Sequence, residues 1–260
     1  MTTRQTVRLH ALEPATYRSP LEVRLQGNAA PRVPMPVYLV EHGDGLVMVD
    51  GGLDPAAAGD PASVYGEMAE RIDLRFAEHQ RVDAQLEALG FSLRDVTHVV
   101  ATHLHFDHAG AFKQVPHATT FVGTEELVYA RNPERFARTW YRPDDFDDRH
   151  GIRWRELPCD HDVFGDGALT VLHLPGHSPG SLAVLVRLSG RTIVLSGDVV
   201  HTRAAFENEA AYVGDVDTVA ARRSLRKLAH VLESTGADLW IAHDPVDWRR
   251  FGGAGTVSDR

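Results

Sequence analysis

The chain has 260 residues, 43% apolar and 24% charged, an ordinary globular composition that suits one large domain or two small ones. Its formal charge of −9 argues against a phosphate-backbone partner, so no nucleic acid is expected. One cysteine, Cys159 in the loop-like "ELPCDHD", excludes an internal disulfide and a thiolate-rich zinc site.

The N-terminal "MTTRQTVRLHALEPATY" has no apolar core of a signal peptide, and no apolar run reaches membrane-spanning length. A soluble cytoplasmic protein with no membrane partner is the expectation. "VYLVEHGDGLVMVDGG" (37–52) reads as two apolar strands around a Gly-Asp-Gly turn. "LDPAAAGDPASVYGEMAERIDLRF" follows, long and irregular for a compact domain. "VDAQLEALG" (82–90) has helical spacing and a glycine stop. "VTHVVATH" (96–103) is a buried strand. "TEELVYAR" (124–131) starts with a threonine cap and acidic first-turn residues, a helix start. After a second irregular stretch, "RNPERFARTWYRPDDFDDRHGIRW", come three strand-like segments, "ALTVLHLPGH", "GSLAVLVRL" and "RTIVLSGD". The amphipathic helix "DTVAARRSLRKLAHVLES" (217–234) and a final short strand, "ADLWIAHD", complete the order. This mixture predicts sheets covered by helices rather than a simple βαβ repeat. The two irregular stretches, near 53–80 and 131–155, read as lids or binding loops.

Fifteen histidines is high for this length; His79, His150 and His230 read as surface residues. The candidate functional residues, His103, His177, Asp198 and His243, sit where strands stop, a usual address for chemistry. "ATHLHFDHAG" holds His103, His105, Asp107 and His108. On a loop leaving a strand, His-X-His lets two imidazoles converge on one ion. The adjacent Asp107 and His108 point elsewhere, toward a second centre. One loop cannot close two sites, so further ligands must come from distant chain. His177 in "LPGHSPGS", Asp198 in "SGD" and His243 in "AHD" are candidates, and a carboxylate is able to bridge two ions. His-X-His alone would fit a plain polar loop; the longer His-X-His-X-Asp-His pattern does not. Nitrogen and oxygen donors suit zinc, and also iron, cobalt or manganese.

In this order "THLHFDHAG", "LPGHSPGS", "SGD" and the late "HD" resemble the metallo-β-lactamase superfamily over nearly the whole chain. The resemblance implies an α/β fold, the four-layer αβ/βα sandwich, as a single domain over 1–260. It also implies two divalent ions on one sheet edge. His103, His105 and His177 would hold one, Asp107, His108 and His243 the other, and Asp198 would bridge.

Several branches fit poorly. The redox diiron branch has a carboxylate at the place of His105, and the Cys-ligand β-lactamases have cysteine at the place of Asp198. Nucleases carry an inserted domain and basic surfaces. Glyoxalase II carries a helical C-terminal region, for which the stretch after His243 is short. "VPMPVYLVEHGDGLVMVDGG", "ARRSLRKL" and "AHDPVDW" resemble the N-acyl-homoserine lactonases, the quorum-quenching group. That likeness implies opening of the lactone ring by a metal-bridging hydroxide, with Asp107 as proton donor. One departure stands out. Many of these lactonases have tyrosine three residues after the bridging aspartate, where "GDVVHT" places His201; an imidazole there is also able to donate to an oxyanion. Thr102 and Asp244 are candidates to orient ligands by adjacency.

Met68, Phe76, Trp140, Tyr141 and Phe146 are candidates to line an apolar groove for an acyl tail, or else to fill the core. Alternative readings are a hydrolase of another small ester, lactone, thioester or phosphotriester, and a non-catalytic metal-binding sensory module. The last predicts a lost ligand, yet all seven are present. A homodimer is compatible with such loops.

Overall fold

The computed structural model describes residues 7–18 and 30–257. Residues 1–6, part of the stretch read for a leader, lie outside the described residues, as do 19–29 and 258–260. Fourteen strands are present among the described residues: β1 (Arg8–Ala11), β2 (Ala15–Tyr17), β3 (Val33–Met35), β4 (Tyr38–His42), β5 (Gly45–Val49), β6 (Val96–Val100), β7 (Thr119–Gly123), β8 (Arg153–Leu157), β9 (His161–Asp162), β10 (Leu169–His173), β11 (Leu182–Arg187), β12 (Thr192–Leu195), β13 (Asp238–Trp240) and β14 (Gly255–Thr256). The α-helices are α1 (Ala62–Tyr65), α2 (Glu67–Arg71), α3 (Val82–Ala88), α4 (Phe106–Ala109), α5 (Glu126–Arg131), α6 (Arg203–Glu207), α7 (Thr218–Thr235) and α8 (Pro245–Arg250).

Seven strands form one sheet in the order β14-β1-β4-β5-β6-β7-β8; five form a second, β13-β12-β11-β10-β9. The 37–52 hairpin forms as expected, with Tyr38 opposite Val49 and His42 opposite Gly45 across the Gly43–Asp44 turn. Successive strand residues face opposite sides of a sheet. Val40, Val47, Val49, Val100 and Phe121 of the first sheet therefore meet Val171, Val184, Val186 and Leu195 of the second in an inter-sheet core. The opposite faces are apolar too. Leu39, Met48 and Val99 pack under α3 and α5 through Leu86 and Leu127. Leu185, Val194 and Leu239 pack under α7 through Leu225 and Leu228. Helix, sheet, sheet and helix make the four-layer αβ/βα sandwich that the resemblance implies. No helix of the described residues is long and apolar enough to cross a membrane.

The long helix is well signalled in the chain. Asp217 caps α7 by accepting from the amides of Val219 and Ala220, and Gly236 ends it in a left-handed conformation. Other expectations are corrected. The strand read through His103 stops at Val100. Thr124 does not cap α5; Glu125 is the N-cap, without a side-chain bond. The segment 131–155 ends in the edge strand β8, and 53–80 contains α1 and α2. The strand at 238–240 is not the last, because β14 pairs with β1.

Strands β5, β6, β7 and β8 run parallel, as do β12 and β13. Ligands in open α/β sheets gather outside the carboxyl ends of such strands. Asp50 and His103 follow β5 and β6, and Asp198 and His243 follow β12 and β13.

Candidate metal centre

The seven proposed ligands converge from four chain segments. His103, His105 and His177 come together with Asp198, each offering an atom within 4.8 Å of the others; Asp107, His108 and His243 form an adjoining set under the same limit. Every one of these side chains is buried. Asp198 stands between the sets. Its Oδ2 lies 3.9 Å from His103 Nε2 and 3.5 Å from His177 Nε2, and its Oδ1 lies 3.3 Å from His108 Nε2 and 3.1 Å from His243 Nε2. Asp107 Oδ2 lies 3.5 Å from His243 Nε2 and 3.7 Å from His108 Nε2.

The hydrogen bonds behind the ligands test whether a cation fits. His108 Nδ1 lies 2.8 Å from Asp50 Oδ2, and His243 Nδ1 lies 2.6 Å from the carbonyl of Pro34. Both partners only accept, so each Nδ1 carries its hydrogen. In the neutral rings the two Nε2 lone pairs then face each other at 3.2 Å. His177 is arranged alike, with Nδ1 3.1 Å from Asp215 Oδ1 and Nε2 3.2 Å from His105 Nδ1. His103 Nε2 is buried without a hydrogen-bond partner. Opposed lone pairs and an orphaned acceptor want a positive charge between them. Nitrogens about 2.0–2.1 Å from a tetrahedral zinc ion stand about 3.3 Å apart, close to these separations. The donor sets therefore fit a divalent ion.

Electrostatics agree. Burial, joined by neighbouring imidazoles, holds His103 and His105 well below the usual histidine range, so they are neutral donors. Burial works against charge on His108 and His243 as well, but the Asp107 and Asp198 carboxylates outweigh it and raise both, so without an ion these two rings take up the positive charge that a bound cation would supply in their place. Burial likewise opposes ionisation of Asp198, yet His243 and His108 pull it well below the ordinary carboxylate range.

Three partners of these histidines were not visible to sequence reasoning: Asp50, Asp215 and the Pro34 carbonyl. Of the two residues expected to orient ligands by adjacency, Thr102 is placed to do so. Its Oγ1 lies 3.2 Å from His103 Nδ1 and 3.0 Å from Asp50 Oδ2. Asp244 is not; its carboxylate caps α8, accepting from Val246 and Asp247. The signal that could have found Asp50 is its place at the end of an apolar strand before Gly-Gly.

With this geometry in hand, comparison with known proteins is decisive for the family. The model of the metallo-beta-lactamase superfamily matches residues 31–239. The chain belongs to the metallo-β-lactamase superfamily. Among curated relatives, the N-acyl homoserine lactonase AttM of Azorhizobium caulinodans is 38% identical over 232 residues, 87% of this chain and 88% of that one. Among solved structures, a Bacillus thuringiensis AiiA variant with N-decanoyl-L-homoserine bound at its active site superposes with a TM-score of 0.82 over 95% of this chain and 97% of that one, at 21% identity. AidC, a dizinc quorum-quenching lactonase in complex with N-hexanoyl-L-homoserine, gives 0.68 over 94% and 90% at 17% identity. At these identities the two structures speak for the fold. Membership of the superfamily and the two donor sets together make this a divalent-metal centre.

Above the centre of this metallo-β-lactamase fold opens a cavity of about 260 Å³. Its walls are Tyr17, Met35, Ile72, Phe106, Trp140 and Tyr212, and its floor is the ligand cluster with His201. His201 is half-buried beside the bridge, with Nε2 3.6 Å from Asp198 Oδ2 and its ring stacked on Tyr212 at 4.0 Å. Burial lowers its pKa.

Of the five residues expected to line a groove, Trp140 reaches the cavity wall. The other four do not, and each is a correction. Met68 packs half-buried among the side chains of its own segment. Phe76 is buried in that cluster and borders a separate small cleft beside Leu12 and Val82. Phe146 is 2% exposed in the core under the outer helices. Tyr141 is buried with its ring edge against His105, centroids 4.6 Å apart. Composition names the segment that borders a cavity; the helical turns within it decide which side chain faces in. Thus Ile72, just past α2, lines the wall and Met68 does not.

Proposed function

We propose that the protein is a metal-dependent hydrolase of ester bonds that opens the ring of N-acyl-homoserine lactones. The observation that carries this reading is the meeting of two bridged donor sets at the floor of a largely apolar cavity. A polar ring over the metals and an apolar acyl tail along Met35, Ile72 and Trp140 match that division. The relatives named as lactonases, and the neighbours with acyl-homoserines bound, support it.

His103, His105 and His177 would hold one ion, Asp107, His108 and His243 a second, and Asp198 would join them. Zinc is proposed for both positions, since the donors are nitrogen and oxygen and AidC is described as dizinc. Such ions lower the pKa of a water and polarise a carbonyl. Around that chemistry the chain's own groups have defined tasks. His201 donates to the oxygen that becomes negative as the ring carbonyl turns tetrahedral. Asp107 would take the proton that the ionising water gives up and pass it to the departing ring oxygen. Ile72 and Trp140, one from each of the segments 53–80 and 131–155, close water away from the tail; we take those segments as lids of a single domain.

The departure at His201 favours a second reading, a neighbouring small ester or lactone in place of the acyl-homoserine compound. Both are tested by acid release from a panel of acyl-homoserine lactones, simple lactones, a thioester and a phosphotriester, with and without chelator. Chelator-sensitive turnover of acyl-homoserine lactones is the expected result. Turnover of another ester alone, by metal-loaded protein, would remove the lactone assignment and leave the hydrolase.

A further inference from the structure

Glu126 opens α5 and is 0% exposed. An acid in a first helical turn ordinarily stays in solvent near the amide ends. This one turns inward. Its Oε1 accepts from the Leu104 amide at 3.0 Å and from Tyr141 Oη at 3.3 Å; its Oε2 accepts from the Gly180 amide at 3.0 Å. The Ser178 side chain lies beside the same carboxylate.

These partners have a common property. Leu104 stands between His103 and His105. Ser178 and Gly180 belong to the "PGHSPGS" turn that carries His177. Tyr141 sets its ring against His105 and its backbone forms a bridge to that residue. One buried carboxylate therefore ties together the two loops that supply the first donor set. The backbone is cut to admit it. A Cβ on Gly180 would lie 2.5 Å from Glu126 Cβ, and a Cβ on Gly123 would lie 2.0 Å from the Gly180 carbonyl oxygen. Glycine at both positions lets the turn press against the end of β7 and the start of α5.

We infer that Glu126 is a positioning residue: it registers His103 and His105 against His177 and so sets the geometry of one of the two metal positions. An ionised carboxylate is suited to this, because it offers only acceptor sites to the three donors. Glutamine keeps the shape but turns an NH2 group toward an amide hydrogen. The inference rests on the proposed function only in that the donor sets hold ions.

The test is metal binding by the full chain, stripped with chelator and titrated with cobalt(II), read by its visible spectrum, and with zinc(II) against a competing chelator. Wild type, E126Q and Y141F are compared, with thermal melts of the stripped proteins alongside. Wild type should take two ions. E126Q should weaken one ion by about 10–100-fold and leave the other within about threefold, with a changed cobalt spectrum, as removal of ligand-supporting groups does elsewhere. Y141F, which loses a single bond to the same carboxylate, should fall between. E126Q that binds both ions like wild type overturns the inference, as does equal weakening of both, which marks a general lesion. Should E126Q fail to fold, E126D, which keeps the charge and withdraws it by one methylene, answers the same question. Wild type that binds no ion overturns the functional reading and this inference together, so the two failures are told apart.

Discussion

Asp50 adopts a left-handed backbone, φ 61°, and from it sets its Oδ2 2.8 Å from His108 Nδ1. The other oxygen accepts from the Thr102 amide at 2.8 Å. One side chain at the end of β5 thus holds both the start of the ligand loop and a ligand within it. The conformation is uncommon for a residue with a Cβ but is one that asparagine also tolerates. D50N should therefore keep the backbone and lose one acceptor. Metal affinity and kcat/KM are expected to fall by about 10–100-fold, measured by chelator competition and lactone turnover. Wild-type affinity in D50N would remove this role.

His201 stands three residues after Asp198, where the resemblance to the lactonases implies tyrosine. Stacking on Tyr212 fixes its ring, and burial holds the imidazole below the usual range, so it is neutral near pH 7. H201A should lower kcat by about 10²-fold, the scale of losing one oxyanion donor. Metal content should not change. The check is steady-state kinetics with metal analysis of the same preparation; an unchanged kcat would leave His201 as mere wall.

Trp140 and Phe146 lie six positions apart and should behave differently. Trp140 borders the cavity, so W140A is expected to raise KM most for long acyl chains, with little effect on the melting temperature. Phe146 is 2% exposed, and F146A should cost about 3–5 kcal/mol of stability, the usual range for a buried phenylalanine. Chain-length series and denaturant unfolding of both variants separate the roles. A selective KM effect in F146A would contradict the placement.

Asp145 carries the pH dependence. Asp54, Asp144 and Asp145 share the cations of Lys113 and Arg142. Lys113 Nζ lies 2.7 Å from Asp54 and 2.6 Å from Asp144, while Arg142 touches Asp54 and Asp145. Burial, with Asp54 adding repulsion, pushes the Asp145 carboxyl up to about 7 against the pull of Arg142 and Lys113. Its Oδ2 has no hydrogen-bond partner among the described residues. A carboxyl raised in the folded state stabilises fully below its unfolded pKa, and that stability is lost as pH rises through the folded value. Wild type should therefore lose stability between about pH 4 and 7 relative to D145N, whose amide resembles the protonated acid. Melting temperatures of both at about pH 5.5 and 8 provide the measurement. Parallel pH slopes would show that Asp145 is ionised throughout.

The sequence by itself determined which seven side chains converge and the strands that deliver them. His103, His105, Asp107 and His108 lie within one short motif, and their companions follow apolar strands, so local pattern was enough. The 37–52 hairpin and α7 were legible for the same reason, because turn chemistry and caps are read from neighbouring residues. What orients the ligands was decided only by the tertiary structure. Asp50 is 58 residues from His108, and the Pro34 carbonyl is 209 residues from His243. Glu126 looked like a helix-start acid and proved to be buried between two ligand loops. The cavity wall followed the same logic, taking Ile72 and Trp140 and leaving Met68, Phe76 and Phe146 to packing. Periodicity within a segment reports which residue types alternate. Only the closing of two sheets over each other determines which distant atoms come within hydrogen-bond reach.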